Sequence, residues 1–233
     1  MAVHLYGVLE GPASSALSIA GLDGRPVRVL PLGDRHAWVS DAASVRLEAT
    51  PKRIREHDAV LRVTIETGYS VVPSLFGRLH ADDRSLLAAL ERSAEAVDTA
   101  MELVRGRVEM SFLVVPSGPP PVMEQAGSAE GEGAGREHLR RIRKQIQAER
   151  ILLASAAELA QSASRSLGEL FVAERVVENP MSPILAALAH LVSRDNVARY
   201  LRTAKSQVYA DSAVRIAVRG PGAAYSFAAV QVG

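Results

Sequence analysis

The hydrophobic positions of this chain fall into two runs of helix and strand signals, separated by a stretch with neither. The opening Val3-His-Leu-Tyr-Gly-Val-Leu9 is apolar, aromatic and β-branched, which predicts a strand ending near Gly11-Pro12. Short strands are predicted over 27–30 and 37–39, either side of the Gly33-Asp34 turn signal. Thr50-Pro51 marks a helix start: Thr can accept from free backbone N–H groups, and Pro suits the first helical position. Ile54, Leu61 and Ile65 recur at helical spacing up to Gly68, and 69–73 reads as another strand. From Asp82 or Asp83 one long helix is predicted. Leu86 or Leu87, Leu90, Ala94, Val97, Met101 and Val104 lie on its stripe, and Gly106 closes it. Val108, Met110, Phe112 and Val114 then alternate as a strand. The order up to Pro116 is β-β-β-α-β-α-β, an α+β unit with its own core.

Pro116, Pro119, Pro120 and Pro121 are followed by Gly127, Gly131, Gly133 and Gly135 with Glu between them. Such a stretch buries too little apolar surface to offset the entropy of ordering it, so it reads as a flexible linker. Beyond it, Leu139, Ile142, Ile146, Leu153, Ala157, Ala160 and Leu167 define the apolar stripe of a long helix. A strand over 171–177 is followed by Asn179-Pro180 and Ser182-Pro183 breaks. The apolar run 184–193 fits a buried strand or a short helix, since periodicity does not separate the two. Asp195 starts a helix carrying Val197, Tyr200, Leu201, Ala204 and Val208. A strand over 213–219 ends at Gly220-Pro221-Gly222, and a last apolar piece spans 225–232. The expected organisation is therefore an α+β domain over 1–116, a linker over 117–135, and a second α+β domain with a short tail over 136–233.

Composition narrows the chemistry. Among 233 residues there is no cysteine, which excludes disulfides, thiolate metal sites and cysteine nucleophiles. Lys plus Arg is 27 against 26 Asp plus Glu, so the net charge of +1 argues against a protein built to neutralise nucleic-acid phosphate. The apolar run 184–192 is about half the roughly 20 residues of a membrane-spanning helix, and the N-terminus has no basic segment before its apolar run. These features point to a soluble cytoplasmic protein with no membrane contact.

The six histidines, His4, His36, His57, His80, His138 and His190, make no His-x-x-x-His pair. His80, Asp82 and Asp83 could serve a Ser nucleophile, yet no Gly-x-Ser-x-Gly elbow holds one, and capping explains the Asp residues. Gly131-Glu-Gly-Ala-Gly135 follows a Pro-rich coil and lacks the Gly-Lys-Ser/Thr ending of a phosphate loop. No catalytic, cofactor or metal residues are assigned, and the expectation is that the chain is not an enzyme. The strongest charge cluster is Arg136, Arg140, Arg141, Arg143, Lys144 and Arg150, with Glu137 and Glu149. It fits a solvated helix face, an ion-pairing surface for an acidic protein, or a phosphate-tracking face. The absence of interleaved aromatics disfavours the last.

Three segments look specific without fitting a catalytic template: Val71-Val-Pro-Ser-Leu-Phe-Gly77, Gly106-Arg-Val-Glu109 and Arg219-Gly-Pro-Gly-Ala-Ala-Tyr-Ser-Phe227. With Tyr6-Gly7 in the first strand and Glu56-His57-x-x-Val60-Leu61 on the first helix, they form an ordered set. Together they resemble the gas vesicle protein L/F family (GvpL/GvpF) over most of the chain. The motif positions are Tyr6, Gly7, Glu56, His57, Pro73, Phe76, Gly77, Gly106, Glu109, Gly220, Pro221, Tyr225 and Phe227. Departures mark a divergent member. Gly222-Ala223-Ala224 stands where the family has Trp-Pro-Pro, and Ser74 and Arg78 replace Arg and Thr. Glu137-His138-Leu139 replaces a Tyr-Leu pair.

The resemblance implies two α+β domains, the first a modified ferredoxin-like fold and the second with ferredoxin-like features. It implies an accessory or minor structural protein of gas vesicle assembly that binds the hydrophobic shell protein GvpA and other accessory proteins during nucleation. The motif positions would be structural or partner-binding. Two alternatives remain at this point: a ligand-binding regulatory α+β module, and a nucleic-acid binder using Arg136 to Arg150.

Overall fold

The computed structural model describes residues 1–11, 19–44, 46–118, 134–178, 180, 183–206 and 214–229. The expected linker lies outside the described residues over 119–133, as do the side chains of Arg136, Glu137 and His138, Val208, and the tail beyond Ala229.

The first sheet is built on β1 (Ala2–Glu10). It is buried on both faces, so its sequence lacks the polar–apolar alternation of a one-sided strand. A bulge between Leu5 and Gly7 flips its side-chain parity. Val3, Leu5 and Val8 therefore share one core, while Tyr6 and Leu9 share another. β2 (Arg28–Leu32) and β3 (Arg35–Ala42) form a hairpin, and β3 pairs antiparallel with β1. Helix α1 (Pro51–Glu66) starts as expected at Thr50, whose hydroxyl accepts from the Arg53 amide at 3.3 Å. It buries His57, Val60, Leu61, Thr64 and Ile65 and leaves Ile54 exposed, so the buried stripe is rotated from the one expected. On the far side of β1, β4 (Ser70–Pro73) pairs with its second half and β5 (Leu79–His80) with its first.

The long helix expected from Asp82 is two. α2 (Asp83–Arg92) is capped by Asp82, whose carboxylate accepts from the Ser85 amide at 2.7 Å. It ends at Ser93, where α3 (Ala94–Val104) begins. The break leaves Ala94 exposed, while Leu86, Leu90, Val97, Met101 and Val104 cover β1.

A larger difference concerns β6 (Arg107–Pro116), expected to close the first unit. β1 already has β3 on one side and β4 and β5 on the other. β6 instead lies at the centre of a second sheet, pairing antiparallel with β8 (Ala186–Ser193) and with β9 (Val214–Gly222). β7 (Ala173–Val176) completes the order β7-β8-β6-β9. The ambiguous run 184–193 is thus largely strand.

Helix α4 (Ala134–Arg165) covers one face of this sheet through Ala156, Ala160 and Ala163, followed by Leu167, against Met110, Phe112 and Leu188. Of the expected apolar stripe, Ala160 and Leu167 are buried, while Ala157, Leu153, Leu139, Ile142 and Ile146 are exposed. α5 (Val197–Ser206) adds Tyr200 and Ala204 to the same core. The other face meets the first unit. Leu191 joins the α2–α3 core together with Ala224 and Ala228, which flank and end the one-turn helix α6 (Tyr225–Ala228). Val108 and Ala223 join the α1 core. The architecture is α+β with two antiparallel sheets packed through helices, in line with the expected class.

Candidate functional site

Four motif positions converge beneath α1. Tyr6 stacks on His57 with ring centroids 5.3 Å apart, and Phe76 and Tyr225 lie 5.9 and 6.3 Å from His57. His4 completes the group, 4.9 Å from Tyr6 and 5.8 Å from Phe76. Residues between β4 and β5 bring Phe76 here, since the Ser74 amide donates to the Tyr6 carbonyl at 2.8 Å. His57 Nε2 lies 3.1 Å from the Ser74 carbonyl, and a carbonyl only accepts, so Nε2 carries the proton. Nδ1 of the neutral ring then accepts from His4 Nε2 at 2.9 Å. Burial and the neighbouring His57 hold His4 down at about 3. Burial likewise lowers His57 to about 4, against the raising effects of Ser74 and Asp58. Both rings are neutral donors and acceptors at physiological pH.

Tyr6 anchors a further segment. Its hydroxyl accepts from the Leu22 amide at 2.7 Å and bonds the Ser40 hydroxyl at 2.8 Å. Glu56, next to His57 but on another face of α1, accepts from the Asp23 amide at 3.1 Å. Gly7 is required by close approach: a Cβ there would sit 2.7 Å from the Val72 carbonyl oxygen, opposite Pro73 in the ladder.

A second group of motif positions lies on β6 and β9. The Glu109 carboxylate accepts from both the amide and the hydroxyl of Ser226, each at 2.8 Å, fastening α6 to the sheet. Burial raises the Glu109 pKa, opposed by those two bonds. Gly220 has φ +121°, and a Cβ on it would meet the Glu109 carbonyl oxygen at 2.7 Å and Met110 Sδ at 2.8 Å. The following Gly220–Pro221 peptide is cis. Phe227 packs against the α2–α3 core, with the Arg175 guanidinium 5.8 Å from its ring centroid. Gly77 and Gly106, with φ +84° and +67°, occupy the turns before β5 and before β6.

Between the groups lies a cleft of about 790 Å³. α1 lines it with Asp58, Arg62 and Glu66, β6 with Glu109, β9 with Arg219 and Pro221, and α6 with Tyr225. Arg194, just after β8, forms part of its wall and ties the second sheet to the end of α1, donating to the Ile65 carbonyl at 2.6 Å and to the Tyr69 carbonyl. Burial lowers the Arg194 pKa, and burial raises that of the Tyr225 phenol. The cleft thus mixes apolar wall with charges of both signs, which suits a polypeptide surface.

Sequence reasoning missed one buried polar group. His190 Nδ1 lies 2.6 Å from the Tyr200 hydroxyl, and its Nε2 lies 2.9 Å from Glu174 and 3.2 Å from the Ser164 hydroxyl. Ser164 also donates to Glu174. Acid and hydroxyl share one ring nitrogen, so the order is not that of nucleophile, base and orienting acid. The group pins the end of α4 to β7, β8 and α5. No spacing could have revealed it, because its members come from four separate elements.

The family profile described as gas vesicle synthesis protein GvpL/GvpF matches residues 2–229. The chain belongs to the GvpL/GvpF family. Its fold is that of the solved relatives. The crystal structure of the gas vesicle protein GvpF from Anabaena sp. PCC7120 superposes with a TM-score of 0.75 at 16% identity, covering 99% of this chain and 97% of that one. GvpF from Microcystis aeruginosa gives 0.72 at 17% identity, over 98% and 99%. No curated protein sequence matches the chain. Membership places this GvpL/GvpF protein in an accessory role in making gas vesicles. Among the described residues no helix is long and apolar enough to cross a membrane.

Proposed function

We propose that this GvpL/GvpF protein is a non-enzymatic assembly factor that binds the hydrophobic shell protein GvpA, and other accessory proteins, during vesicle nucleation in the cytoplasm. The observation that carries the reading is a cleft between α1 and the second sheet, whose sheet-side wall gathers the family-motif positions Glu109, Gly220, Pro221 and Tyr225. Tyr225 and the stretch from Gly220 form one rim, and α1, held by His57, forms the other. An apolar shell subunit aggregates unless its surface is covered before assembly. Covering ~800 Å² at ~25 cal/mol per Å² supplies about 20 kcal/mol gross, from which association costs remove much. No bond has to be broken for this task.

Co-expression with GvpA tests the reading. GvpA is expected to co-purify with the wild-type chain and to be lost from an Arg62→Glu/Arg219→Glu variant that reverses charge on both rims. Absence of co-purification from a folded wild-type chain would overturn it. The cleft volume also falls in the range of small-molecule pockets, which supports metabolite binding as a second reading. A specific metabolite that raises Tm, with no effect of GvpA, would favour it.

A further inference from the structure

α4 carries one seam along its whole described length, and only half of it is covered. Leu139, Ile142, Ile146, Glu149, Leu153, Ala156, Ala160 and Ala163, continuing to Leu167, alternate steps of three and four. From Ala156 onward these positions are buried against the second sheet. Before it, Leu139 is 57% exposed, Ile142 38%, Ile146 44% and Leu153 41%. Between 139 and 155 only Leu152 is even half-buried. The helix therefore runs beyond the sheet for about 25 Å, with its seam open among the described residues.

The width of the stripe indicates what fits it. At 100° per residue the four seam side chains fall within an arc of about 60°, with the exposed Ile151 on another face. That is the narrow seam of a coiled coil, whereas a helix lying in a membrane surface presents a broad apolar face. In heptad terms Leu139, Ile146 and Leu153 occupy one core position, and Ile142 and Glu149 the other. Arg143 and Arg150, seven residues apart, flank the seam where a partner's side chains pair by charge. Over 139–155 there are five basic residues, including Arg140, Arg141 and Lys144, against the single acid Glu149. Two copies would bring like charges together, so charge points to an acidic partner. Glu149 within the seam calls for a Lys, Arg or amide opposite it, which sets register.

We propose that residues 139–155 of α4 dock an acidic amphipathic helix of another protein, as a two-stranded coiled coil continuous with the seam already buried on the sheet. This surface lies apart from the inter-sheet cleft, and the proposal stands or falls independently of it.

The test uses the full chain and a fluorescent three-heptad peptide. The peptide has Ile and Leu in its seam, Glu on its flanks and one Lys placed to face Glu149. Its counterpart has Lys on the flanks. Anisotropy is expected to show micromolar binding of the acidic peptide and at least tenfold weaker binding of the basic one. Ile142→Asp/Ile146→Asp, at exposed positions, is expected to abolish binding without changing Tm. Arg143→Glu/Arg150→Glu is expected to reverse the preference between peptides. The proposal is overturned by no binding of the acidic peptide at about 100 µM, or by equal binding to the Ile142→Asp/Ile146→Asp variant. It is also overturned if those substitutions instead remove binding to phosphatidylserine vesicles or duplex DNA, or dissolve a self-dimer seen by sedimentation.

Discussion

The buried His4–His57 pair makes folding stability depend on pH below about 6.5, a window it shares with His190 and His80, which burial also holds below the ordinary histidine range. In the unfolded chain each ring titrates near 6.5, and in the fold they are held at about 3 and about 4. Between those values the unfolded chain binds protons that the native chain does not. Stability is therefore complete above pH 6.5 and falls as pH drops toward 4. At pH 5 each neutral ring forgoes about 2 kcal/mol, so the pair costs about 4 kcal/mol relative to pH 7.5. The pair's own limiting slope is about 2.7 kcal/mol per pH unit, equivalent to two protons, and His190 and His80 add to it in the same direction. That is a large share of a domain stability of about 5–15 kcal/mol. Carboxylates held low by partners, such as Glu10 beside Arg105, lose their contribution only below their unfolded pKa near 4.5. Urea titrations at pH 7.5, 6.5, 5.5 and 5.0 measure the effect. His57→Gln keeps a donor for the Ser74 carbonyl and is expected to reduce the slope by about one proton. Stability that is flat from pH 7.5 to 5, or a slope unchanged by His57→Gln, would refute the assignment of two neutral buried rings.

Three further outcomes follow from local geometry. Gly220→Ala places a methyl group 2.7 Å from the Glu109 carbonyl at φ +121°, and is expected to lower the urea midpoint by an amount corresponding to about 2 kcal/mol. Arg194→Met removes the two bonds to the Ile65 and Tyr69 carbonyls, and should cost about 3 kcal/mol and speed hydrogen exchange at the end of α1 and the start of β4. Ser164→Ala leaves His190 and Glu174 paired but removes the hydroxyl linking them to α4, for an expected loss of about 1 kcal/mol in thermal unfolding.

Local signals were the legible part of the fold. Thr50-Pro51 and Asp82 start helices as capping chemistry requires, and the alternation of Met110, Phe112 and Val114 marks a strand. The partners of β6 were not legible, because alternation identifies a strand without identifying its neighbours. The Ser93 break in the α2–α3 run was hidden for a related reason: Leu90, Val97 and Met101 keep a helical spacing across it. In α4 the spacing shows an apolar stripe but not what covers it, since aliphatic spacing is the same whether a helix packs on its own sheet or extends beyond it. The ordered motifs identified the family, but their spatial meaning needed coordinates. Tyr6, His57, Phe76 and Tyr225 are far apart in the chain and meet in one cluster. The role of His4 in that cluster carried no motif at all.

The central claim is that this GvpL/GvpF protein acts by binding GvpA rather than by catalysis. Its most direct measurement is the amount of GvpA that remains in the supernatant when the two are co-expressed. The account predicts that the wild-type chain keeps GvpA in the supernatant, in complex with it. It also predicts that the folded Arg62→Glu/Arg219→Glu variant leaves GvpA in the pellet. GvpA found equally in the pellet with either chain, together with normal vesicles after deletion of the gene, would contradict it.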